Sequence, residues 1–356
     1  MDIKENFSLK NFNSLKIDAK AKYFVVVNSI NEIIKLISQK IFEKNNFIIL
    51  GGGTNILFTK DFDGIVIKNN ICNSLNFKNL ETKIEILADS GIIFDELIQK
   101  EIEFQNNLKF RNNLKSQNNF KINVFGLENL AKIPGNVGSA VVQNIGAYGV
   151  EQKDFFNYCK AINLISGEIK TFYKENCDFD YRFSIFKQEN NPFFITEVCY
   201  MLDKLNKPNI EYPDLTKIFN NLVNKIEISP KNIYNELEKI RKNKLPDVEK
   251  FPNVGSYFKN PIIEKKQFDE LKSNFSDIKY FNSENNFIKI SAAWLIENCN
   301  LKGKKIKNVG IFDKHSLIIV NYGEATGQEV VYFSGFIIQE VEKKFGIKLE
   351  PEVVYI

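Results

Sequence analysis

The sequence predicts a mixed α/β protein built from alternating strands and helices, and three stretches predict it. "YFVVVNSINEIIKLISQKIFEKNNFIIL" (Tyr23–Leu50) runs from a strand pattern through a helical pattern to a second strand pattern. A glycine corner follows, and then a third strand-like run, "DGIVIKN" at Asp63–Asn69. The chain closes on a helical pattern, "TGQEVVYFSGFIIQEVEKKFG", leading into the strand-like "IKLEPEVVYI". Strands and helices in alternation are the mark of α/β architecture.

Each element has a physical reason. "YFVVV" (Tyr23–Val27) is apolar and β-branched, as a buried strand requires. Ser29 and Glu32 stand in capping-box positions, and Ile33, Leu36, Ile37 and Ile41 follow at helical spacing, which predicts one helix through Ile41. "NFIIL" then ends at Gly51-Gly52-Gly53-Thr54-Asn55. Two readings of this corner stand side by side: a sharp turn that needs φ > 0, or a cradle whose bare backbone N–H groups receive phosphate oxygens. No helical pattern follows the glycines, so this is not the Rossmann fingerprint. The corner also lacks the G-K-[ST] ending of a P-loop.

From Gln105 to Ile122 the chain repeats a six-residue unit three times, "QNNLKF RNNLKS QNNFKI". Polar low-complexity repeats seldom pack a core, so we read an inserted surface loop, with a partner-binding element as the other reading. "GLENLAKIPGNVGSAVVQNIGAYGVE" (Gly126–Glu151) is rich in glycine and holds Asn129, Asn136, Gln143 and Asn144. Its glycines serve either tight backbone packing or close approach to a ligand. "YRFSIFK" (Tyr181–Lys187) sets Arg182 among aromatic and apolar residues, where most arginines are stem-packed and half-exposed. Lys242–Pro261 reads as a linker or loop and a glycine turn, with Ser256 directly after Gly255. In the tail, Thr326 and Glu329 form a second capping box. Val330, Ser334, Ile337, Val341 and Phe345 line one helix face, and Gly346 stops it.

Composition excludes several classes. A net charge of +4 over 356 residues, with lysines interleaved among glutamates, gives no nucleic-acid stripe. The first twenty residues lack the apolar core of a signal peptide, and no run approaches the ~18 apolar residues of a membrane span. Cys72, Cys159, Cys177, Cys199 and Cys299 are scattered and His315 is the one histidine, so no zinc constellation and no disulfide framework is expected. These features point to free thiols, mostly buried, in a reducing cytoplasm, and to no metal.

Taken together, "LGGGTNIL", "GLENLAKIPGNVGSAVVQNIGAYGVE", "YRFSIFK", "KLPD", "GSYFKNP", "AAWLIENCNLKG" and the closing "EPEV" resemble the UDP-N-acetylenolpyruvoylglucosamine reductase family over nearly the whole chain. "IEYPDLTKI", with Tyr212, resembles the substrate-covering tyrosine loop of the family's first type. The resemblance implies an α+β / α/β fold: a two-subdomain FAD-binding region of the vanillyl-alcohol-oxidase type and a C-terminal substrate-binding α/β domain. It places the first FAD-binding subdomain at 1–69, joined by a C-terminal strand at 347–356. The second spans 70–245, with the Asn-rich insertion near 105–122 and the tyrosine loop near 210–216. The substrate domain is 246–346.

The implied activity is NADPH-dependent reduction of UDP-N-acetylglucosamine enolpyruvate to UDP-N-acetylmuramate through non-covalent FAD, a step of peptidoglycan precursor synthesis in the cytoplasm. Gly51, Gly52, Gly53, Thr54 and Asn55 would cradle the FAD pyrophosphate. Gly135, Gly138, Asn144, Gly146 and Ala147 would line the flavin. By the same resemblance Ser256 donates a proton, Arg182 stabilises the enolate and Glu352 supports both, while Tyr212, Lys244, Asn260 and His315 contact the UDP-sugar or the nicotinamide nucleotide. Partners are then small molecules alone, on a monomer. Ser256 is not read as a hydrolase nucleophile, since it lacks the G-x-S-x-G elbow. The rival reading is another FAD-dependent oxidase or dehydrogenase on the same fold. Many of those tether FAD through His or Cys, and no histidine lies near this glycine corner.

Overall fold

The opening strand–helix–strand forms in the computed structural model, which describes residues 1–113, 123–221, 228–282 and 286–356. The chain divides into two units. Unit 1 gathers Met1–Glu5, Tyr23–Gly52 and Asp63–Arg241, and unit 2 gathers Asn6–Lys22, Gly53–Phe62 and Lys242–Ile356.

In unit 1, four strands lie in the order Ile3–Ser8, Lys20–Val27, Phe62–Asn69, Asn46–Leu50. The last two run parallel with Ile48 opposite Val66. The helix Ile30–Ser38 starts where Ser29 caps it, its side chain accepting from the Glu32 N–H at 3.3 Å. Ile33 and Leu36 are fully buried against Val25, Val27, Ile65 and Ile67. This helix ends earlier than the periodicity predicts. Lys40 turns to φ 54° and a separate short helix, Ile41–Lys44, follows. That break buries Phe42 in the core, with Ile41 partly buried against it. Tertiary burial here outweighs helix continuity.

A second sheet of unit 1 is antiparallel, in the order Ile169–Tyr173, Phe156–Asn163, Phe193–Asp203, Lys83–Asp89, Leu75–Asn79. Its Ile84, Ile86 and Val198 share one core with Leu97 and Ile98 of the helix Phe94–Asn113 and with Val137 and Val141 of the helix Val137–Gln143. The repeat segment needs a correction. Its first part, 105–113, continues the helix Phe94–Asn113 and is not a loop. Gln105 is 3% exposed and clamps Val124 from both sides, donating to its carbonyl at 2.7 Å and accepting from its N–H at 2.9 Å. A buried amide satisfied at both ends is tolerated where a free one is not. Residues 114–122 of the expected insertion lie outside the described residues.

In unit 2, Asn253–Ser256, His315–Asn321, Val309–Phe312 and Lys305–Ile306 form an antiparallel sheet. The helix Gly327–Phe345 packs on its core through Val330, Ile337, Val341 and Phe345. The capping box forms as expected: Thr326 Oγ1 accepts from Glu329 N at 3.2 Å, and Glu329 returns the bond to Thr326 N at 2.9 Å. Gly346 closes the helix at φ 65°. The terminal strand Val354–Tyr355 pairs in parallel with Ile56–Leu57, so the chain end returns to the segment just after the glycine corner.

Of the cysteines, Cys159, Cys177 and Cys199 are buried, Cys299 is partly buried and Cys72 is exposed, all as free thiols. Among the described residues no helix is long and apolar enough to cross a membrane.

Candidate active site

The glycine corner is built by packing on both sides. In unit 1, a Cβ on Gly51 would sit 3.2 Å from Ser139 Cβ, and the half-buried Lys68 ammonium donates to the Gly51 carbonyl. Burial lowers the Lys68 pKa. In unit 2, Gly53 has φ 66°, and a Cβ there would lie 2.0 Å from the Phe12 carbonyl oxygen. The Gly53 carbonyl accepts from Ser14 N at 2.9 Å. Only glycine fits this position, because both the left-handed backbone and the close approach forbid a side chain. The run that follows is polar and open. The N–H groups of Gly52, Gly53, Thr54 and Asn55 find no acceptor among the described residues, and Ser14 Oγ is buried without a partner there. Consecutive unpartnered N–H groups are the donor set an anionic diphosphate takes. The residues present therefore fit FAD at this corner. Lys68 and Ser14 escaped the sequence reading, since neither carries a motif.

The second glycine block shapes one wall of unit 1. Gly138 packs on Ser90, donating to its carbonyl at 2.8 Å, and a Cβ there would meet Ser90 Cβ at 2.9 Å. Gly135 adopts φ 120° and accepts from Phe94 N at 3.0 Å. Asn144 ends the helix at φ 42° and is fully buried. Its Nδ2 donates to the Asp180 carbonyl at 2.9 Å and to Glu151 at 3.1 Å. That amide is engaged within the protein, and the Asn144 backbone N–H donates to the Val141 carbonyl at 3.1 Å. Gly146–Ala147 pairs with Val150–Glu151 across a two-residue turn at Tyr148 (φ 50°) and Gly149 (φ 80°).

Asn144 also fixes the loop that presents Arg182. Asp180 and Phe183 exchange two backbone bonds of 3.1 Å, enclosing Tyr181-Arg182 in a tight turn. Arg182 takes φ 56°, where glycine or asparagine is the ordinary choice. The left-handed region costs an L-residue roughly 1–2 kcal/mol. The guanidinium Nη2 donates to the Gly146 carbonyl at 2.7 Å, and its Cζ lies 5.4 Å from the Tyr181 ring centroid. A Cβ on Gly146 would meet Glu151 Cγ at 2.9 Å, the Val150 carbonyl oxygen at 3.0 Å and Arg182 Nη1 at 3.1 Å. A strained backbone holding a fixed cation is a frequent signature of a working residue.

In unit 2 the structure brings Ser256 and Glu352 segments together. Phe258 bridges Pro351, the Glu352 N–H donates to the Tyr257 carbonyl at 2.8 Å, and Lys259 N donates to the Glu350 carbonyl at 2.9 Å. The "GSYFK" and "EPE" motifs thus run side by side. Gly255, at φ 73°, and the irregular pairing between Asn253 and Ser256 turn Ser256 outward, while Tyr257 and Phe258 beyond it are buried. Ser256 is exposed. Asn260 Oδ1 accepts from Ala292 N at 2.9 Å, and His315 Nδ1 accepts from Leu317 N at 3.3 Å. Lys244 is the exposed last residue of the helix Pro230–Lys244.

Tyr212, in unit 1, precedes the helix Pro213–Asn221 and meets the Tyr148 ring edge to face at 5.0 Å. Burial raises the Tyr212 pKa, helped by Asp214 and Tyr148, so this phenol stays neutral. An ionic cluster supports this wall: Lys132 meets Asp95 at 2.9 Å and Glu238 at 3.3 Å, and Arg241 Nε donates to the Lys132 carbonyl at 3.3 Å. Sequence reading missed this cluster because its members come from three separate segments, Glu238 and Arg241 sharing the helix Pro230–Lys244.

Comparison with known proteins bears on what this arrangement does. The family model for the UDP-N-acetylenolpyruvoylglucosamine reductase C-terminal domain matches residues 246–356. The chain is 40% identical to the UDP-N-acetylenolpyruvoylglucosamine reductase of Flavobacterium johnsoniae over 356 residues, covering 99% of each. It is 38% identical to the enzyme of that name from Buchnera aphidicola subsp. Baizongia pistaciae, covering 97% of each. Its fold matches the crystal structure of UDP-N-acetylenolpyruvylglucosamine reductase from Thermus caldophilus, with a TM-score of 0.66 at 20% identity over 100% of this chain and 99% of that one.

Proposed function

The chain belongs to the UDP-N-acetylenolpyruvoylglucosamine reductase family, and on that premise we propose how its own residues carry out the reaction. It is an FAD-containing, NADPH-dependent oxidoreductase that reduces UDP-N-acetylglucosamine enolpyruvate to UDP-N-acetylmuramate for peptidoglycan precursor synthesis. The carrying observation is that the kinship spans both units, so the segments of Arg182, Ser256 and Glu352 all fall within it.

Gly52 to Asn55 would offer their N–H groups to the FAD pyrophosphate, and the Gly135–Ala147 block would line the flavin. Bound FAD supplies the hydride chemistry, from NADPH to the β-carbon of the enolpyruvyl group. Negative charge then develops on the α-carbon and its carboxylate. Arg182 stabilises that charge, and support for the role is its fixed, strained turn. Ser256 Oγ–H gives its proton to the α-carbon. The O–H bond breaks as the C–H bond forms, and the alkoxide is reprotonated from water. A serine is a weak acid, so the transfer relies on the basicity of the carbanion. Glu352, whose N–H donates to the carbonyl of Tyr257, the residue after Ser256, supports this step. Tyr212 covers the substrate, and Lys244, Asn260 and His315 contact the UDP-sugar or the nicotinamide nucleotide. We assign 1–69 with 347–356 and 70–245 to FAD binding and 246–346 to substrate binding, in a cytoplasmic monomer.

The test separates the half-reactions. Ser256→Ala is expected to leave flavin reduction by NADPH near normal and to slow reoxidation by the enolpyruvyl sugar at least a hundredfold (order of magnitude). Equal slowing of both would show that Ser256 is not the proton donor.

A further inference from the structure

Lys68 is a half-buried cation with no carboxylate to meet it. It lies on the strand Phe62–Asn69, whose parallel pairing with Asn46–Leu50 sets it opposite Leu50, the residue before the glycine corner. Ile65, Val66 and Ile67 before it are fully buried, so the packing of the strand does not itself ask for a charge here. An ammonium carries three N–H groups. One donates to the Gly51 carbonyl, and the other two find no acceptor among the described residues. No acidic side chain there pairs with it, so burial lowers its pKa unopposed. A cation withdrawn from water without an opposite charge costs the free protein stability, a cost that an arriving anion offsets. The bond to Gly51 also has a direction. In a trans peptide the carbonyl and the following N–H point opposite ways, so holding the Gly51 oxygen turns the Gly52 N–H away from Lys68. Gly52 is exposed, and its N–H is the first of the unpartnered run that continues to Asn55. A charged donor on the carbonyl polarises that peptide and strengthens its N–H as a donor.

We infer that Lys68 is a positioning residue for the flavin cofactor: it fixes the Gly51–Gly52 peptide with its N–H presented outward, and it supplies positive charge beside the site of the FAD diphosphate. The inference rests on the reading of the glycine corner as the diphosphate cradle. It adds a charged side chain to a cradle otherwise made of backbone. The charge acts across a half-buried site, where screening by salt is weaker than at an exposed surface but still measurable.

The experiment uses the full chain with FAD bound. The holoenzyme is diluted serially and the released flavin is read by its fluorescence, which gives Kd for FAD at low and at high NaCl. Lys68→Met keeps an unbranched chain without the charge, and Lys68→Arg keeps the charge. The expected Kd is about ten- to hundredfold above wild type for Lys68→Met and within about threefold of it for Lys68→Arg. Kd should rise with salt in the wild type and much less in Lys68→Met. An unchanged Kd in Lys68→Met overturns the inference and leaves the cradle standing. Kd raised equally in both variants, with the salt dependence of the wild type retained, shows a packing role and overturns it too. Riboflavin, which lacks the diphosphate, tests the cradle itself. If equimolar riboflavin displaces FAD from the wild-type holoenzyme, the cradle fails and the inference with it. Lys68→Gln, which keeps an N–H donor without the charge, gives the same readouts if Lys68→Met fails to fold.

Discussion

Gly53→Ala is expected to destabilise the protein severely. At φ 66° the added Cβ would lie 2.0 Å from the Phe12 carbonyl oxygen and 3.0 Å from its carbon. Attractive carbon contacts begin near ~3.5 Å, so this overlap cannot be absorbed. Both partners are backbone, so no rotamer change relieves it. The segments must part, breaking the 2.9 Å bond from Ser14 N to the Gly53 carbonyl. The left-handed backbone costs roughly 1–2 kcal/mol for an L-residue, the lost hydrogen bond about 1, and overpacking about 1–3. The combined loss is about 3–6 kcal/mol. At the ~2–4 °C per kcal/mol typical of domains this size, Tm should fall by on the order of 10 °C. The assays are differential scanning calorimetry and the ratio of flavin to protein absorbance after purification, which should drop if the corner is the diphosphate cradle we propose. A variant with Tm within about 2 °C of wild type and full flavin content would refute both the packing argument and the cradle.

Gly335→Ala tests the opposite sign: nothing lies within 4 Å of its added Cβ on the helix Gly327–Phe345, so stability should rise by roughly 0.5–1 kcal/mol in a denaturant titration. Glu128 is 2% exposed and burial pushes its carboxyl up to about 7, opposed by the Gly126 N–H at 2.6 Å. A folded pKa above the unfolded 4.5 means the native state holds the proton longer, so stability falls as pH rises from about 4.5 to 7 and is level beyond. Glu128→Gln should therefore leave stability in a denaturant titration little changed at pH ~5 and raise it at pH ~8 by at most ~3.4 kcal/mol, at 1.36 kcal/mol per pKa unit. Arg182→Lys keeps the charge but loses the planar group that reaches Gly146, and steady-state kcat should fall about 10²-fold or more.

What the sequence revealed follows a physical line. Local chemistry was legible: the caps at Ser29 and Thr326, the stop at Gly346 and the buried face from Val330 to Phe345 all form. Where a distant contact decides, it was not. Helix Ile30–Ser38 ends early because Phe42 is buried, and Gln105 leaves the polar repeat pattern because Val124, nineteen residues on, satisfies it. The antiparallel sheet around Phe193–Asp203 pairs strands whose order no local pattern records. For the site we propose, the glycine corner, Arg182, Ser256 and the "EPEV" end were named from motifs. The left-handed turn under Arg182 and the Lys68 ammonium beside Gly51 could not be, because each exists only once separate segments meet.

The central claim is the transfer of reducing equivalents from NADPH to an enolpyruvyl sugar nucleotide. The most direct measurement is anaerobic stopped-flow absorbance of the purified protein near ~450 nm, the oxidised flavin band, the hydride chemistry residing in that cofactor. The absorbance should bleach on mixing with NADPH and return rapidly when UDP-N-acetylglucosamine enolpyruvate is added without oxygen. Bleaching that reverses only when oxygen is admitted would contradict the account and make the protein an oxidase.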